Sequence, residues 1–180
     1  MTDLATRTGL PDALRLLARE LPRDTWETHP NCDGLTRFWM KRHLMFRDLM
    51  NRLQTGSRAY LENALDERQF TRDTGRLAGF LLNQLHEHHG IEDHHYFPRL
   101  ADLEPRLAAG FTLLDADHRA LDGHIQALAD TTSNLLRRPG RDTAGVLDSH
   151  LSQFTAFLDR HLLDEEDLVV PVILTHGGIG

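Results

Sequence analysis

The sequence predicts an all-α protein, an antiparallel up-down-up-down four-helix bundle with a short extra N-terminal helix. Apolar residues recur at helical spacing through almost the whole chain. No stretch alternates over five or more residues with the β-branched enrichment of a strand. The 180 residues suffice for one compact core, and the single cysteine, Cys32, excludes an intramolecular disulfide.

Residues 1–32 are predicted to form an N-terminal arm with a short helix. Pro11 suits the first turn of a helix, which then continues from Asp12 to Pro22. The apolar residues of this stretch recur on one face, so we expect the arm to lie on the main body.

The predicted bundle, residues 33–174, begins with two long helices. The first starts near Asp33 and has a weak point at Gly56. The second runs over 67–96 and is expected to stop before Pro98, because the residue before a proline disfavours the helical conformation.

The third and fourth long helices are predicted over 105–138 and from residue 143 to about 163. Pro139 and Gly140 between them form the clearest turn in the sequence. The final stretch is expected to close over one end of the bundle or to fray, with residues 175–180 as a tail.

Composition excludes several function classes. Lys and Arg total 20 against 27 acidic residues, a net charge of −7 without a basic stripe, so nucleic acid is not an expected partner. No run of about 18 apolar residues and no signal-peptide pattern occurs, which predicts a cytoplasmic protein without membrane spans. The 12 histidines are an unusual number and direct attention to metal binding.

One sequence motif, His-x-x-x-Glu with a proline six residues past the glutamate, occurs twice, at His88–Glu92 and at His161–Glu165. Residues four apart share a helix face, so each motif can present an imidazole and a carboxylate to one point. His43 and His118 each lie on an apolar stripe of another predicted helix. All four helices therefore direct metal-binding side chains inward.

The positions of the turns support this convergence. In an up-down-up-down bundle, histidines at one level require each turn to lie midway between successive histidines. The midpoints between His43, His88, His118 and His161 fall at Leu65 and Asp66, beside Glu104 and Pro105, and between Pro139 and Gly140. Two of the three coincide with proline turns that were identified without reference to the histidines.

Four imidazoles and two carboxylates suit iron, because carboxylates can bridge two cations and imidazoles fill terminal positions without adding negative charge. The expected cofactor is a pair of non-haem iron ions, oxo- or hydroxo-bridged, with zinc or manganese as substitutes.

The order His, His-x-x-x-Glu, His, His-x-x-x-Glu over residues 35–171 resembles the hemerythrin family, in particular its bacterial HHE cation-binding members. The resemblance implies a di-iron bundle whose ligands are His43, His88, Glu92, His118, His161 and Glu165. Oxygen-carrying hemerythrins have a second histidine on the third long helix, four residues from the first, where this chain offers Leu114 or Asp122. Asp122 is the candidate seventh ligand, with water at that position or a solvated Asp122 as the alternatives.

The other histidines are predicted to have no ligand role. On a helical wheel His89 and His94 point more than 90° away from His88, so we expect them to face solvent or to support the ligands from outside. The zinc-protease motif that begins at His86 fails, because Gly90 occupies the position of its second histidine. The Glu-x-x-His order of ferritin-type centres is also missing from the needed pairs.

Two main functions fit this pattern. The first is a module that binds or senses O2, nitric oxide or iron itself, which the histidine-rich ligand set favours. The second is a di-iron enzyme that acts on peroxide or nitric oxide at an open coordination position. An iron-centre repair or iron-donor protein and a structural cation bundle are further alternatives. The protein is expected to be a monomer or a homodimer.

Overall fold

The computed structural model describes residues 3–177, which are all-α and contain no strand. The α-helices are α1 (Leu16–Glu20), α2 (Gly34–Leu61), α3 (Glu67–Ile91), α4 (Phe97–Leu103), α5 (Ala108–Arg137) and α6 (Arg141–His176). Short 3-10 turns span Asp12–Leu14, Arg23–Thr25 and Pro105–Leu107, and a π-helix, Glu92–Tyr96, joins α3 to α4. The predicted fold class, a hemerythrin-like bundle of long helices, is confirmed.

The helix breaks lie where the histidine spacing predicts them. α2 ends at Leu61 and α3 begins at Glu67, and the other two breaks precede α5 and α6. Asp66 caps α3, because its Oδ1 accepts the Gln69 N–H at 3.0 Å. Asn63 in the first turn has a φ of 60°, a left-handed conformation that asparagine tolerates.

Helical structure continues past two expected helix ends, the one before Pro98 and the one at about residue 163. Pro98 lies in the first turn of α4, where a missing N–H costs nothing, because the preceding π-helix has already shifted the hydrogen-bond register. Pro171 lies inside α6, which continues to His176 because the apolar residues around the proline are fully buried. Residues 178–180 of the predicted tail lie outside the described residues.

The chain divides into two compact units. The described part of the first comprises residues 3–44, 88–119 and 159–177. Its hydrophobic core contains Trp39, Phe97, Leu100, Leu107, Phe111, Leu114 and the apolar residues of 168–174, together with Leu10, Leu17, Trp26 and Cys32 of the N-terminal arm. The arm is therefore part of this unit's core.

The second unit comprises residues 45–87 and 120–158. Its buried residues recur at helical spacing, with Phe46, Met50, Leu53, Phe70, Leu81 and Leu85 from α2 and α3, and Leu121, Leu128, Leu135, Leu147, Leu151 and Phe154 from α5 and α6. Tyr60 stacks on Phe70 at 4.6 Å between ring centroids. Within residues 3–177, none of the helices has the length and apolarity needed to cross a bilayer.

Candidate metal centre

The six predicted ligand residues come together in the first unit. Their side chains are all buried, with at most 4% exposed: His43, His88, Glu92, His118, His161 and Glu165. With His89 they form two groups in which the candidate ligand atoms all lie within 4.8 Å of one another. The groups, called here the two-histidine group and the three-histidine group, are His43, His88, Glu92 and Glu165, and His89, His118 and His161.

Close pairs of imidazole nitrogens lie in each group. The Nε2 atoms of His43 and His88 are 3.0 Å apart, and those of His118 and His161 are 3.1 Å apart. Two ligand atoms at about 2.1 Å from a shared ion and at right angles to each other lie about 3.0 Å apart. The nitrogen pairs therefore have the separation that adjacent ligands of one ion require.

The two glutamates of the two-histidine group each face histidines of both groups. Glu92 Oε1 is 3.0 Å from His88 Nε2, while its Oε2 is 3.8 Å from His118 Nε2. Glu165 Oε2 is 3.2 Å from His161 Nε2 and 3.7 Å from His43 Nε2. Each carboxylate thus faces nitrogens of both groups, which is the placement that bridging two cations needs.

Burial makes this cluster costly without a cation. The pKa of Glu92 is raised well above its usual value, first because the carboxyl group is buried and second because Glu165 lies beside it. Burial likewise lowers the pKa values of His88 and His89 well below the usual value, so both imidazoles are neutral. Neutral imidazoles beside two carboxylates are a suitable donor set for cations, whose charge would offset the repulsion between the carboxylates.

Carboxylates also hold the outer ring nitrogens. Because a carboxylate only accepts, the Nδ1–H of His43 donates to Glu166 at 3.0 Å, and that of His118 donates to Asp93 at 2.8 Å. The Nε2 atoms of these two rings then carry the lone pair and face the cluster. His161 Nδ1 faces Asp117 at 3.6 Å, which is too long for a hydrogen bond, and has no hydrogen-bond partner within residues 3–177. The carboxylate–histidine arrangement at His43 and His118 is characteristic of metal-binding imidazoles.

The π-helix that follows α3 supplies two carboxylates of the site, Glu92 and Asp93. At Glu92–Tyr96 the chain makes hydrogen bonds over five residues, and the Phe97 N–H donates to the Glu92 carbonyl. The wider turn changes the helical phase after Ile91. Glu92, four residues after His88, points inward, and the next residue, Asp93, reaches His118 on α5. Single π-turns of this kind are frequent at functional sites.

Of the two positions expected for His89, exposure to solvent is wrong, whereas support of the ligands from outside stays a prediction. His89 is buried, stacks on His118 at 4.0 Å between ring centroids, and its Nε2 has no hydrogen-bond partner within the described part of the chain. The inner face of a bundle helix spans at least about 100°, so adjacent residues can both face inward. His88 and His89 lie three and four residues after the buried Leu85. This spacing indicates that both can lie on the inner face of α3.

Asp122, the candidate seventh ligand, is exposed and belongs to neither group. It lies four residues after His118 on α5, but the side chain turns to the solvent side, whereas Leu114, four residues before His118, is fully buried in the core. The fifth imidazole of the cluster comes from α3 instead of α5. His86 and His94 are exposed, as expected for residues without a ligand role.

The supporting carboxylates were not identified from the sequence. Each one is adjacent in sequence to a predicted ligand: Asp93 follows Glu92, Asp117 precedes His118, and Glu166 follows Glu165. An acidic residue next to a ligand lies about 100° around the helix, where it meets a neighbouring element. That adjacency was the available signal.

A small cavity of about 10 Å³ lies against the cluster, roughly the space of one water molecule. It is lined by Leu35, Thr36, Trp39, Glu92, Tyr96, Phe97, Val169 and Ile173. The Trp39 Nε1–H donates to Glu92 Oε1 at 2.6 Å. The cavity is therefore mostly apolar and reaches a carboxylate of the two-histidine group.

Comparison with known proteins gives one result. A family model described as the hemerythrin HHE cation binding domain matches residues 34–176. The matched region contains α2 to α6, and all seven clustered residues lie in it. Neither the comparison with curated proteins nor that with solved structures gives a significant match.

Proposed function

Because the chain belongs to the hemerythrin HHE cation-binding family, we propose that it holds a non-haem di-iron centre that binds or senses a small diatomic molecule, O2 or nitric oxide. The observation that carries the proposal is the pairing of two histidine groups with two carboxylates that face both. The ligands would be the six residues predicted from the sequence, with His89 as the seventh. An iron pair bound there supplies one-electron redox chemistry and a coordination position for a small molecule.

The two groups offer unequal numbers of protein ligands. One has three imidazoles and the other has two, while Glu92 and Glu165 face both. An ion in the two-histidine group would thus have one protein ligand fewer than its neighbour, and the open position would lie on that side.

The cavity supports a diatomic ligand over a larger substrate. It has space for about one small molecule, and Glu92 is the only charged side chain among the described residues that line it. An uncharged molecule such as O2 or nitric oxide enters an apolar cavity at little desolvation cost. The Trp39 indole fixes Glu92 by its hydrogen bond, which keeps this carboxylate aligned beside the cavity.

The test begins with metal content and spectroscopy of protein from iron-supplemented cells. We expect about two irons per chain, near-ultraviolet absorption of an iron pair, and a spectral change when the reduced protein meets nitric oxide or O2. His118→Ala should lose metal, whereas His86→Ala, an exposed histidine of α3, should keep it. Zinc alone, or no metal in either protein, would refute the di-iron proposal, and iron without a response to either gas would refute the binding role.

The enzyme and iron-donor alternatives are tested with the same material. Steady turnover of peroxide or nitric oxide well above that of free iron would favour an enzyme, and transfer of iron to an apo-acceptor would favour a donor. A cytoplasmic location, which the single buried Cys32 supports, and a monomeric or homodimeric state remain predictions for fractionation and light scattering.

A further inference from the structure

The N-terminal arm lies outside the residues that match the family, yet it contacts the surroundings of the candidate centre. The match begins at residue 34, whereas residues 3–32 belong to the same compact unit as the clustered histidines. Two arginines of the arm, Arg7 and Arg23, pair with carboxylates on α5 and α6. Two of these carboxylates, Asp117 and Glu166, face outer nitrogens of the clustered histidines.

Arg7 is the more deeply placed of the two, with 2% of its side chain exposed. Its guanidinium forms a two-point pair with Asp117, one N–H lying 3.2 Å from Oδ1, and its Nε–H donates to Asp164 at 2.7 Å. Asp117 in turn faces His161 Nδ1. The arm thereby fixes a carboxylate that faces, at 3.6 Å, the outer nitrogen of a histidine in the three-histidine group.

Arg23 makes the corresponding contact on the other group. Its guanidinium donates to Glu166 Oε2 at 2.5 Å, to Asp167 at 2.8 Å and to the Leu163 carbonyl at 2.9 Å. The other oxygen of Glu166, Oε1, accepts from His43 Nδ1 at 3.0 Å. Although 41% of the Arg23 side chain is exposed, three partners and the Trp26 ring beneath it hold its position.

We propose that the arm is a working part of the metal centre, with Arg7 and Arg23 as positioning residues that act through Asp117 on His161 and through Glu166 on His43. The inference rests on the proposed di-iron function. A carboxylate that accepts from the outer nitrogen of a metal-binding imidazole fixes the ring and raises its basicity. A guanidinium on that carboxylate holds it in one rotamer and withdraws part of its negative charge.

The arrangement gives each arginine its own group, one arginine for the three-histidine group and the other for the two-histidine group. His118 serves as an internal comparison, because its acceptor Asp93 comes from the π-helix instead of resting on the arm. Loss of Arg7 should therefore weaken binding of the ion in the three-histidine group more than binding of the other ion. Loss of Arg23 should instead weaken binding of the ion in the two-histidine group more. A purely structural arm would weaken both ions equally.

The experiment compares full-length iron-loaded variants by the rate of iron transfer from the reduced protein to a ferrous chelator, and by the midpoint potential. The test variants are Arg7→Gln and Arg23→Gln, with Arg7→Lys and Arg23→Lys as conservative forms. Arg19→Gln removes an exposed arm arginine that pairs only with Asp12 in the contacts seen. Leu17→Ala removes a buried arm side chain and so loosens the arm without touching either contact.

We expect Arg7→Gln to release the iron of the three-histidine group about tenfold faster, which is the low end of the effect of losing a direct partner of a metal ligand. Arg23→Gln should release the iron of the two-histidine group a few-fold faster. Without a guanidinium, Asp117 or Glu166 becomes a stronger hydrogen-bond acceptor. This favours the ferric over the ferrous state of the bound iron. A tenfold change in that equilibrium lowers a one-electron potential by about 59 mV. The lysine variants should recover part of both effects.

Three outcomes would overturn the inference. The first is unchanged release and potential in both glutamine variants. The second is an equal acceleration of both ions, and the third is an effect of Leu17→Ala as large as that of Arg7→Gln at matched melting temperature. If Arg7→Gln does not fold, Arg23→Gln decides alone. Wild-type protein without iron refutes the proposed function itself, whereas iron-loaded wild type with unaffected variants refutes only the role of the arm.

Discussion

His89→Leu should stabilise the metal-free protein and reduce the further stabilisation that bound metal provides. His89 is buried and neutral, and its Nε2 finds no hydrogen-bond acceptor or donor among residues 3–177. An unsatisfied buried polar group costs about 1–3 kcal/mol, and leucine has a similar size. The metal-free variant should therefore unfold at a temperature higher by roughly 4–8 °C for a gain of about 2 kcal/mol, given about 2–4 °C per kcal/mol in a chain of this size.

The metal-loaded variant should lose stabilisation. Losing a direct ligand should weaken the three-histidine group at least about 100-fold, the upper range for loss of a ligand's partner. A 100-fold weaker affinity removes about 2.7 kcal/mol of ligand-linked stability when the metal is in excess. The difference in melting temperature between loaded and metal-free protein should therefore shrink by roughly 5–11 °C, and the metal content should fall from about two ions to one.

Calorimetry of both forms, with metal analysis of the loaded form, measures these changes. His86→Leu is the matched control, because His86 lies on the same helix and is exposed, and it should change neither quantity. Two retained ions with an unchanged metal-dependent shift would show that His89 is not a ligand. A metal-free variant that is less stable than wild type would show that the His89 ring is satisfied in the absence of metal.

Two further predictions concern stability away from the centre. Arg106 pairs with Glu104 and lowers its pKa to about 2, so the pair stabilises the fold above the unfolded pKa near 4.5 and this contribution is lost as the pH falls toward 2. Glu104→Gln should lower the free energy of unfolding at pH 7, and urea unfolding should show a smaller difference between the variant and wild type at pH 3; a difference independent of pH would contradict this. On α5, a Cβ at Gly110 would lie 2.7 Å from Leu168 Cδ2, whereas Gly123 has no atom within 4 Å. Gly110→Ala should therefore destabilise by about 1–3 kcal/mol, Gly123→Ala should stabilise by about 0.5–1 kcal/mol, and equal effects would refute the packing argument.

The sequence predicts the fold well because long helices and turns leave local signals. Helical periodicity and the proline turns indicate the bundle, and the spacing of the histidines locates the breaks before α3, α5 and α6. The helix ends are harder to predict. Whether α6 stops before or continues past Pro171 depends on the burial of its last turns, which is a tertiary property.

Some residues of the candidate site are predictable from sequence spacing, whereas others depend on the tertiary structure. His88 with Glu92 and His161 with Glu165 come together because residues four apart share a helix face, and the turn positions predict that all four histidines lie at one level. The position of His89 depends on how much of α3 faces inward, and that of Asp93 depends on the π-helix. The contacts of Arg7 join residues more than a hundred positions apart, for which no spacing rule exists.

The distribution of the candidate ligands along the chain has a consequence for biosynthesis. His43 lies on α2, the histidines of α3 and α5 follow, and His161 and Glu165 lie on α6, the last helix. A nascent chain that lacks α6 has neither His161 nor Glu165. It also lacks Glu166, which accepts a hydrogen bond from His43. The full donor set therefore exists only after α6 has been translated and has folded back. We expect partly synthesised chains to bind cations more weakly than the complete chain does.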